Sequence, residues 1–296
     1  MLPKLSLVSY VRDRTGYLTR SLPHWRAAPE VAEIVVVDYG SAEPIDPALF
    51  EGDRRCRLIR VENAPYWKQS KAENIAIEAA AGPLILKLDV DSYLPPEAIP
   101  PLLTLGPCKF ITGSYVWSKS GQAVFWKSDW AAVGGYHEFL SGWGHDDHEF
   151  YRRLLAAGLE RLQFPDGLLH KFEHDDQLRT AGGVARPRRL VIPDGILRHR
   201  EFSDARNKII GYLVPWEEAL REVPQRTERG EVGSVIVLEQ PGALEAAAVE
   251  MASYFAACLF EPDHAKVMVG NLTSFFGTPE EEDAVEALAS AGDALS

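Results

Sequence analysis

Residues 84–91 read Leu-Ile-Leu-Lys-Leu-Asp-Val-Asp, a mostly apolar run that ends in two aspartates one residue apart. Such a run predicts a buried strand of a parallel sheet with Asp89 and Asp91 at its tip. In open α/β folds, ligands bind at the carboxyl ends of the strands. Carboxylates there favour Mg²⁺ or Mn²⁺, and these ions favour phosphates. Solvated loop aspartates are the alternative, because an isolated Asp-x-Asp is common.

The composition restricts the class of protein. The chain has 296 residues, with 31 Lys and Arg against 43 Asp and Glu and a formal net charge of −12. Nucleic-acid-binding proteins carry basic surfaces, so we expect no nucleic-acid partner. The three cysteines are too scattered for a disulfide framework or a zinc site. The sequence has no signal-peptide pattern and no apolar run that could span a bilayer, which predicts a cytoplasmic protein.

Strands and helices alternate along the first part of the chain. Apolar runs predict strands at residues 5–11, 34–38 and 57–61, before the strand at 84–91. Helices are predicted after the first strand, where Pro23 opposes the prediction, and at residues 68–81. This alternation indicates an α/β fold, with a mostly parallel sheet covered by helices.

The remainder of the chain has a weaker pattern. Two strands are predicted around a polar turn, followed by a short helix and by a helix with Asp146 and Asp147 at its amino end. We expect irregular structure from about residue 175 to residue 231, where Arg, Pro and Gly are frequent. The predicted elements are strands at 110–117, 121–126, 234–238 and 266–269, and helices at 130–135, 149–157, 243–258 and from 279 onward.

Five short motifs accompany these elements. They are Val-Val-Val-Asp-Tyr-Gly-Ser at 35–41, Lys-Ala-Glu-Asn at 71–74, Asp-Val-Asp at 89–91, Gly-Gly-Tyr at 134–136 and Gly-Trp-Gly-His-Asp-Asp at 142–147. In this order they resemble the motifs of GT-A fold glycosyltransferases, especially family 2 and the β-1,4-galactosyltransferase-like group. The resemblance covers roughly residues 4–176 and is most specific at 134–147.

The resemblance implies a Rossmann-like GT-A domain at residues 1–215, with a smaller C-terminal α/β extension of unknown role at 216–296. Within the domain, the nucleotide-sugar half is expected at about 1–92 and the acceptor half at about 93–176. The stretch at 177–215 is expected to be flexible. We expect its arginines to become ordered over the donor diphosphate once the donor binds.

The resemblance also implies a metal site. Asp91 is expected to bind Mn²⁺ or Mg²⁺ directly, while Asp89 contacts the ribose, the sugar or a metal-bound water. A histidine after the signature completes the site in this family. His170 is the preferred residue and His174 the competing one. An imidazole ligand favours Mn²⁺ over Mg²⁺.

Further residues are implied as contacts of the nucleotide sugar. Arg12 and Arg14 match an Arg-x-Arg that meets the nucleotide, although an exposed, solvated pair is the alternative. Asp38 is expected at the uracil or the ribose. Lys71 is expected at a phosphate, although it departs from the arginine often seen in family 2. Trp143 is expected to form the floor under a sugar ring.

For the reaction, the resemblance implies transfer from a nucleotide sugar, expected to be a UDP-sugar, to a carbohydrate or other hydroxyl acceptor. Asp147 is expected to be the general base of an inverting displacement, and Asp146 to hold a hydroxyl. Both aspartates could instead cap a helix. A retaining GT-A enzyme and a non-catalytic nucleotide-sugar-binding module are the alternatives. The transferred sugar, the acceptor and the choice between UDP and GDP stay open.

Overall fold

The described residues contain the strands β1 (Leu5–Val11), β2 (Val31–Tyr39), β3 (Cys56–Glu62), β4 (Leu84–Lys87), β5 (Ser92–Tyr93), β6 (Lys109–Thr112), β7 (Ala123–Trp126), β8 (Glu160–Gln163), β9 (His170–Lys171), β10 (Arg226–Arg229) and β11 (Gly233–Val237). Nine of these strands form a central sheet in the order β10-β11-β3-β2-β1-β4-β7-β6-β8. The short strands β5 and β9 pair with each other in a separate sheet.

The structure is a computed structural model, and α-helices flank the central sheet. The α-helices are α1 (Thr15–Arg26), α2 (Gln69–Ala79), α3 (Ile99–Leu102), α4 (Lys127–Ala132), α5 (Asp146–Ala156), α6 (Asp194–Leu197), α7 (Arg200–Leu213) and α8 (Ala243–Phe260). Short 3-10 helices span Pro47–Phe50, Pro96–Ala98 and Glu218–Leu220. The structure describes residues 2–114, 121–165, 167–173, 183–187, 192, 194–221, 226–229, 233–238 and 241–260.

The central strands are parallel and buried on both faces. Strand β1 pairs in parallel with β2 and with β4, and β3 extends the parallel set beyond β2. Leu7 of β1 packs on one side with Leu18 and Trp25 of α1, whereas Val8 packs on the other side with Ile75 of α2. Because alternate residues of a strand face opposite sides, continuous apolar runs are required here. The predicted α/β class is confirmed.

The register of these strands determines where the site lies. Val11 of β1 is opposite Asp38 of β2, and Val8 is opposite Lys87 of β4. The chain leaves all three strands at the same edge, so the segments that follow them converge there. Strand β4 ends earlier than predicted, at Lys87, and the two aspartates lie in the loop after it.

Several predictions need correction. Arg200–Leu213 is a helix, so the prediction of irregular structure is wrong there. Its Phe202, Arg206 and Ile210, spaced four apart, are buried on one face. Strand β11 pairs in parallel with β3, so this part of the C-terminal extension joins the main sheet. Three predictions lie wholly or mostly outside the described residues: the strand predicted at 266–269, the helix predicted from 279, and the flexibility predicted before residue 192.

Candidate active site

Asp89 lies directly past the end of β4, and neighbouring strands fix its carboxylate. The Tyr10 hydroxyl donates to Oδ1 at 2.8 Å, and Gln122 Nε2 donates to Oδ2 at 2.9 Å. Burial, followed by the negative charge of Asp89, raises the pKa of Tyr10 well above its ordinary value, so the phenol remains a donor. Asp89 therefore has a fixed orientation, with 24% of its side chain exposed.

Asp91 lies beside Asp89 and shares a cation with it. Ser92 Oγ donates to Asp91 Oδ1 at 3.0 Å, and pairing of β5 with β9 places Lys171 opposite Ser92. Lys171 Nζ lies 3.7 Å from Asp89 Oδ2 and 3.7 Å from Asp91 Oδ1. A positive charge is therefore favoured between the two carboxylates. Their oxygen atoms are the ligand type that Mg²⁺ and Mn²⁺ prefer, so the residues fit a divalent ion.

Of the two histidines predicted as metal ligands, the structure describes His170. The His170 ring stacks on Tyr93, with ring centroids 5.0 Å apart, and Tyr93 in turn stacks on His24. Among the residues that the structure describes, His170 forms no metal-binding group with Asp91. His174 lies outside the described residues. The choice between the two histidines therefore stays a prediction.

A tight turn before α5 directs Asp146 and Asp147 toward the sheet edge. Gly144 has a φ of 101°, and a Cβ there would lie 2.8 Å from Asp204 Oδ1 of α7. His145, with a φ of 69°, precedes the first residue of α5 in the left-handed conformation. The turn thus requires glycine at position 144, and it places two carboxylates in the first turn of a helix, where the helix dipole favours negative charge.

Lys87 of β4 is fully buried between two carboxylates. Its Nζ lies 2.6 Å from Glu73 Oε1 of α2 and 2.6 Å from Asp147 Oδ1 of α5. Burial alone would lower the pKa of Lys87, but Asp147 and Glu73 together raise it well above the ordinary value. Burial raises the pKa of Glu73 to about 7; Lys87 opposes this rise, and the negative charge of Asp147 adds to it. The Lys87 ammonium also fixes one oxygen of Asp147.

Asp146 is buried and accepts a hydrogen bond from Gln69 Nε2. Burial, followed by the charge of Asp147, raises the pKa of Asp146 well above its ordinary value. Oxygens of Glu73, Asp146 and Asp147 lie within 4.8 Å of one another, which is close enough for a shared cation. Lys87 contacts two of these three carboxylates at 2.6 Å, so this group already has a cationic partner.

Gly121 leaves a gap between Asp147 and Asp89. A Cβ built on this glycine would lie 3.0 Å from Asp147 Oδ2 and 3.2 Å from Asp89 Oδ2. The two carboxylates therefore face the same small space, which any larger residue would fill. Asp147 is partly exposed at this point, with 14% of its side chain accessible. A small substrate group could enter between the two oxygens.

Arg12 and Arg14 lie in the loop after β1. The Nε and Nη1 atoms of Arg12 are buried without a hydrogen bond, and its Nε lies 3.7 Å from the Asp13 carboxylate. Asp13 in turn joins this loop to the loop after β2 through the Ser41 hydroxyl and the Ala42 amide. The buried donors of Arg12 fit an anionic ligand such as a phosphate.

Asp38 and Lys71 have partners within the protein. Asp38 is fully buried, and its oxygens accept hydrogen bonds from Ser41 N, Ile45 N and Arg60 Nη1 at 3.1, 3.1 and 2.7 Å. Lys71 is buried with its Nζ 3.6 Å from Glu138 Oε2. These contacts disfavour the predicted role of Asp38 at the nucleotide and indicate that it holds the loop after β2.

Trp143 lies at the other side of the turn. Its backbone amide donates to Ser203 Oγ at 3.0 Å, and the Arg200 guanidinium carbon lies 4.9 Å from the centre of its ring. A sugar could pack on this ring beside or in place of Arg200, so the stacking role stays a prediction.

Comparisons with known proteins agree with this geometry. Residues 7–144 match the glycosyl transferase family 2 profile, and residues 113–176 match the N-terminal domain of galactosyltransferase. The mannosyltransferase PcManGT from Pyrobaculum calidifontis, solved with GDP-Man and Mn²⁺, has a TM-score of 0.52 and 14% identity, over 100% of this chain and 81% of that one. Residues 7–176 therefore match glycosyltransferase family models, and the fold is of the GT-A type.

Two further solved structures resemble this chain. A mutant of Drosophila β-1,4-galactosyltransferase 7, solved with manganese, UDP-Gal and xylobiose, has a TM-score of 0.52 and 14% identity, over 83% of this chain and 98% of that one. GalNAc-T7, solved with UDP, GalNAc and Mn²⁺, has a TM-score of 0.49 and 15% identity, over 55% of this chain and 43% of that one. The chain thus spans less than half of GalNAc-T7. No match was found among curated protein sequences.

The candidate active site includes residues that the sequence patterns did not predict. Tyr10 and Gln122 orient Asp89, while Glu73 and Lys87 contact the Asp147 side of the site. A lysine within an apolar strand was a signal for Lys87, because a buried ammonium requires an anionic partner. Its partners are distant in sequence and could not be identified from spacing. Within the described residues, no helix is both long and apolar enough to cross a bilayer.

Proposed function

We propose that this glycosyltransferase is a metal-dependent, inverting enzyme that moves a sugar from a UDP-sugar to an acceptor hydroxyl, with Asp147 as the general base. The observation that carries the proposal is the gap at Gly121, which Asp147 Oδ2 and Asp89 Oδ2 both face. A carboxylate that faces the donor-side aspartate across a small space is placed to receive a proton during an in-line attack.

The donor would bind at the edge formed after β1 and β4. Asp91, with the oxygens of Asp89 nearby and with His170 or His174, would hold Mn²⁺ or Mg²⁺. When bound, the ion would stabilise the negative charge that grows on the leaving diphosphate. Arg12 and Arg14 would contact the nucleotide from the adjoining loop. The bound Mn²⁺ of PcManGT and of the Drosophila galactosyltransferase supports this arrangement.

The acceptor would enter from the side of Trp143. Asp147 Oδ1 is held by Lys87, so Oδ2 is oriented toward the gap. The acceptor O–H bond breaks as its oxygen attacks the anomeric carbon, and the proton passes to Asp147 Oδ2. The bond from the anomeric carbon to the diphosphate breaks on the opposite face, which inverts the configuration. Asp146 would hold a hydroxyl group. The acceptor is a carbohydrate or another hydroxyl compound, and we place the reaction in the cytoplasm.

Donor class is tested by a thermal-shift screen of UDP- and GDP-sugars, each with Mn²⁺ and with EDTA. A ligand that binds the folded state raises the melting temperature by mass action. We expect stabilisation by UDP-sugars with Mn²⁺. If only GDP-sugars stabilise the protein, the donor is a GDP-sugar and not a UDP-sugar. If none of the sugars stabilises it, the proposed donor site is contradicted.

The base is tested with Asp147→Asn and with Glu51→Gln, a surface control. We expect Asp147→Asn to lower kcat by about 10²-fold or more with little change in UDP affinity, because a base acts mainly in the transition state. Calorimetry and kinetics on the same preparation measure both quantities. Loss of UDP binding would move Asp147 to the donor site, and a product of retained configuration would refute the inverting mechanism.

A further inference from the structure

Lys87 and Glu73 lie behind the proposed base, and the motifs of the sequence assign a role to neither of them. Lys87 and Glu73 are both 0% exposed, and their ion pair reaches the surface through Asp147. We propose that Lys87 is a positioning residue for Asp147, that Glu73 keeps its ammonium in place, and that the two together hold the Asp147 carboxylate in an orientation aimed at the acceptor. This inference rests on the proposed function of Asp147.

The surroundings of Lys87 give its ammonium one position. The ring centres of Tyr10 and Tyr136 each lie 5.5 Å from Nζ. The strand backbone fixes the other end of the side chain, since Lys87 pairs with Val8 of β1 and Ala123 of β7. Asp147 Oδ1 is therefore bound at a fixed point, and rotation of its carboxylate would break that contact.

Stability alone does not require this arrangement. A buried ion pair is costly to desolvate, and well-packed apolar residues of similar volume often replace such a pair without loss of stability. Here the charged group extends from a fully buried lysine to a partly exposed aspartate at the edge of the gap. An arrangement of that kind is expected where a charge is needed at its exposed end.

The pair of carboxylates also suits a proton transfer. Before the reaction, one ammonium faces two acidic groups. When Asp147 accepts the acceptor's proton, the charge of Lys87 remains balanced by Glu73. The lysine therefore keeps an anionic partner in both states of Asp147, so the cost of an unpaired buried charge is avoided. The proton itself stays on Asp147 and moves to neither Glu73 nor Lys87.

The charged and titratable groups around Asp147 come from several elements. Lys87 contacts its carboxylate at 2.6 Å, Glu73 lies within 4.8 Å of it, and Asp89 faces it across the gap at Gly121. Asp146 and His148 are its neighbours on α5. Besides Lys87 itself, the charged and titratable groups near Asp147 or Lys87 are Tyr10, Glu73, Asp89, Tyr136, Asp146 and His148.

The test uses the full chain with the double variant Lys87→Met/Glu73→Gln, which removes both buried charges together. The matched control is Lys109→Met/Glu160→Gln, which removes a surface pair of the same type at 2.9 Å. The single variant Glu73→Gln keeps Lys87 beside Asp147. Readouts are the melting temperature, kcat as a function of pH, and UDP affinity by calorimetry.

We expect the double variant to retain UDP affinity and to lose at least about tenfold in kcat. One adjacent cation makes a carboxylate ionise more readily by roughly 1–3 pH units. The double variant loses this contact to Asp147 and also the opposing charge of Glu73, so the acidic limb of the kcat profile should move upward by less than that amount. In Glu73→Gln, removal of the neighbouring negative charge should move the limb downward. The control pair should change neither quantity.

A purely structural role for the pair predicts a different result. The melting temperature would fall, while the pH profile of kcat and the UDP affinity would not change. An unmoved acidic limb in the folded double variant would overturn the proposal. If that variant does not fold, an unmoved limb in Glu73→Gln would overturn it equally. Failure of the proposed function is distinguishable, because Asp147→Asn would then remain active whatever Lys87 and Glu73 do.

Discussion

Replacement of Gly121 by alanine tests whether the gap between the two carboxylates is the reaction space. The added methyl carbon would lie 3.0 Å from Asp147 Oδ2 and 3.2 Å from Asp89 Oδ2, whereas ordinary contacts are 3.4–4 Å. The φ of Gly121 lies outside the left-handed region, so the backbone accepts alanine. The substitution therefore reports on space and not on backbone strain.

The two carboxylates cannot easily retreat from this methyl group. Lys87 holds Asp147 at 2.6 Å, and Tyr10 and Gln122 hold Asp89 at 2.8 and 2.9 Å. Hydrogen bonds to charged groups contribute about 1.5–3 kcal/mol each, so a shift that breaks one is costly. Overpacking of a fixed site costs about 1–3 kcal/mol. If the cost falls on the transition state, kcat/KM should fall by roughly 5- to 150-fold.

Steady-state sugar transfer is the assay, with calorimetry of UDP and thermal unfolding on the same protein. Gly106→Ala is the control, because its Cβ would meet the Lys109 side chain at 3.9 Å, an ordinary contact. We expect Gly121→Ala to keep its melting temperature while losing turnover. Wild-type kcat/KM in a folded Gly121→Ala enzyme would refute the placement of the acceptor between Asp147 and Asp89.

Two other predictions concern stability. Asp38→Asn should lower the free energy of unfolding by about 2 kcal/mol and leave UDP affinity unchanged, because Asp38 pairs with Arg60 and the backbone. Denaturant unfolding and calorimetry measure these two quantities. A selective loss of UDP binding would instead support the predicted role of Asp38 at the nucleotide. Burial lowers the pKa of His137 to about 3, so the unfolded state binds more protons below about pH 6.5 and stability falls as the pH drops toward 3. His137→Phe should flatten that slope, measured by urea unfolding between pH 4.5 and 7, and an unchanged slope would contradict this assignment.

Short-range patterns predicted the parallel core because the strands are apolar on both faces. The runs at β1 and β2 were therefore recognisable, and their register follows from the fold. Helix α1 formed despite Pro23, since Leu18, Leu22 and Trp25 are buried against the sheet. Tertiary packing outweighed the local cost of a proline. Helix α7 was missed because its buried face includes Arg206, which looks like a solvent-exposed residue in the sequence.

The site was predictable where chemistry is local and unpredictable where partners are distant. Asp89, Asp91 and Asp147 follow motifs with fixed spacing, and the structure brings Asp89 and Asp147 to one gap. Asp38 matched its motif equally well, yet its oxygens bond to Arg60 and two amides. A motif identifies the position of a residue on the fold, but the free atoms of its side chain depend on long-range neighbours.

The proposed donor site requires that Asp91 holds a divalent ion on which donor binding depends. It is tested most directly by calorimetric titration of UDP into wild type and Asp91→Asn, each in Mn²⁺ and in EDTA. We expect wild type to bind UDP in Mn²⁺ and to lose at least about tenfold in affinity in EDTA, because a phosphate-bridging ion is removed. Asp91→Asn should bind weakly in both buffers while keeping a folded melting curve. Equal UDP affinity in all four titrations would contradict the claim.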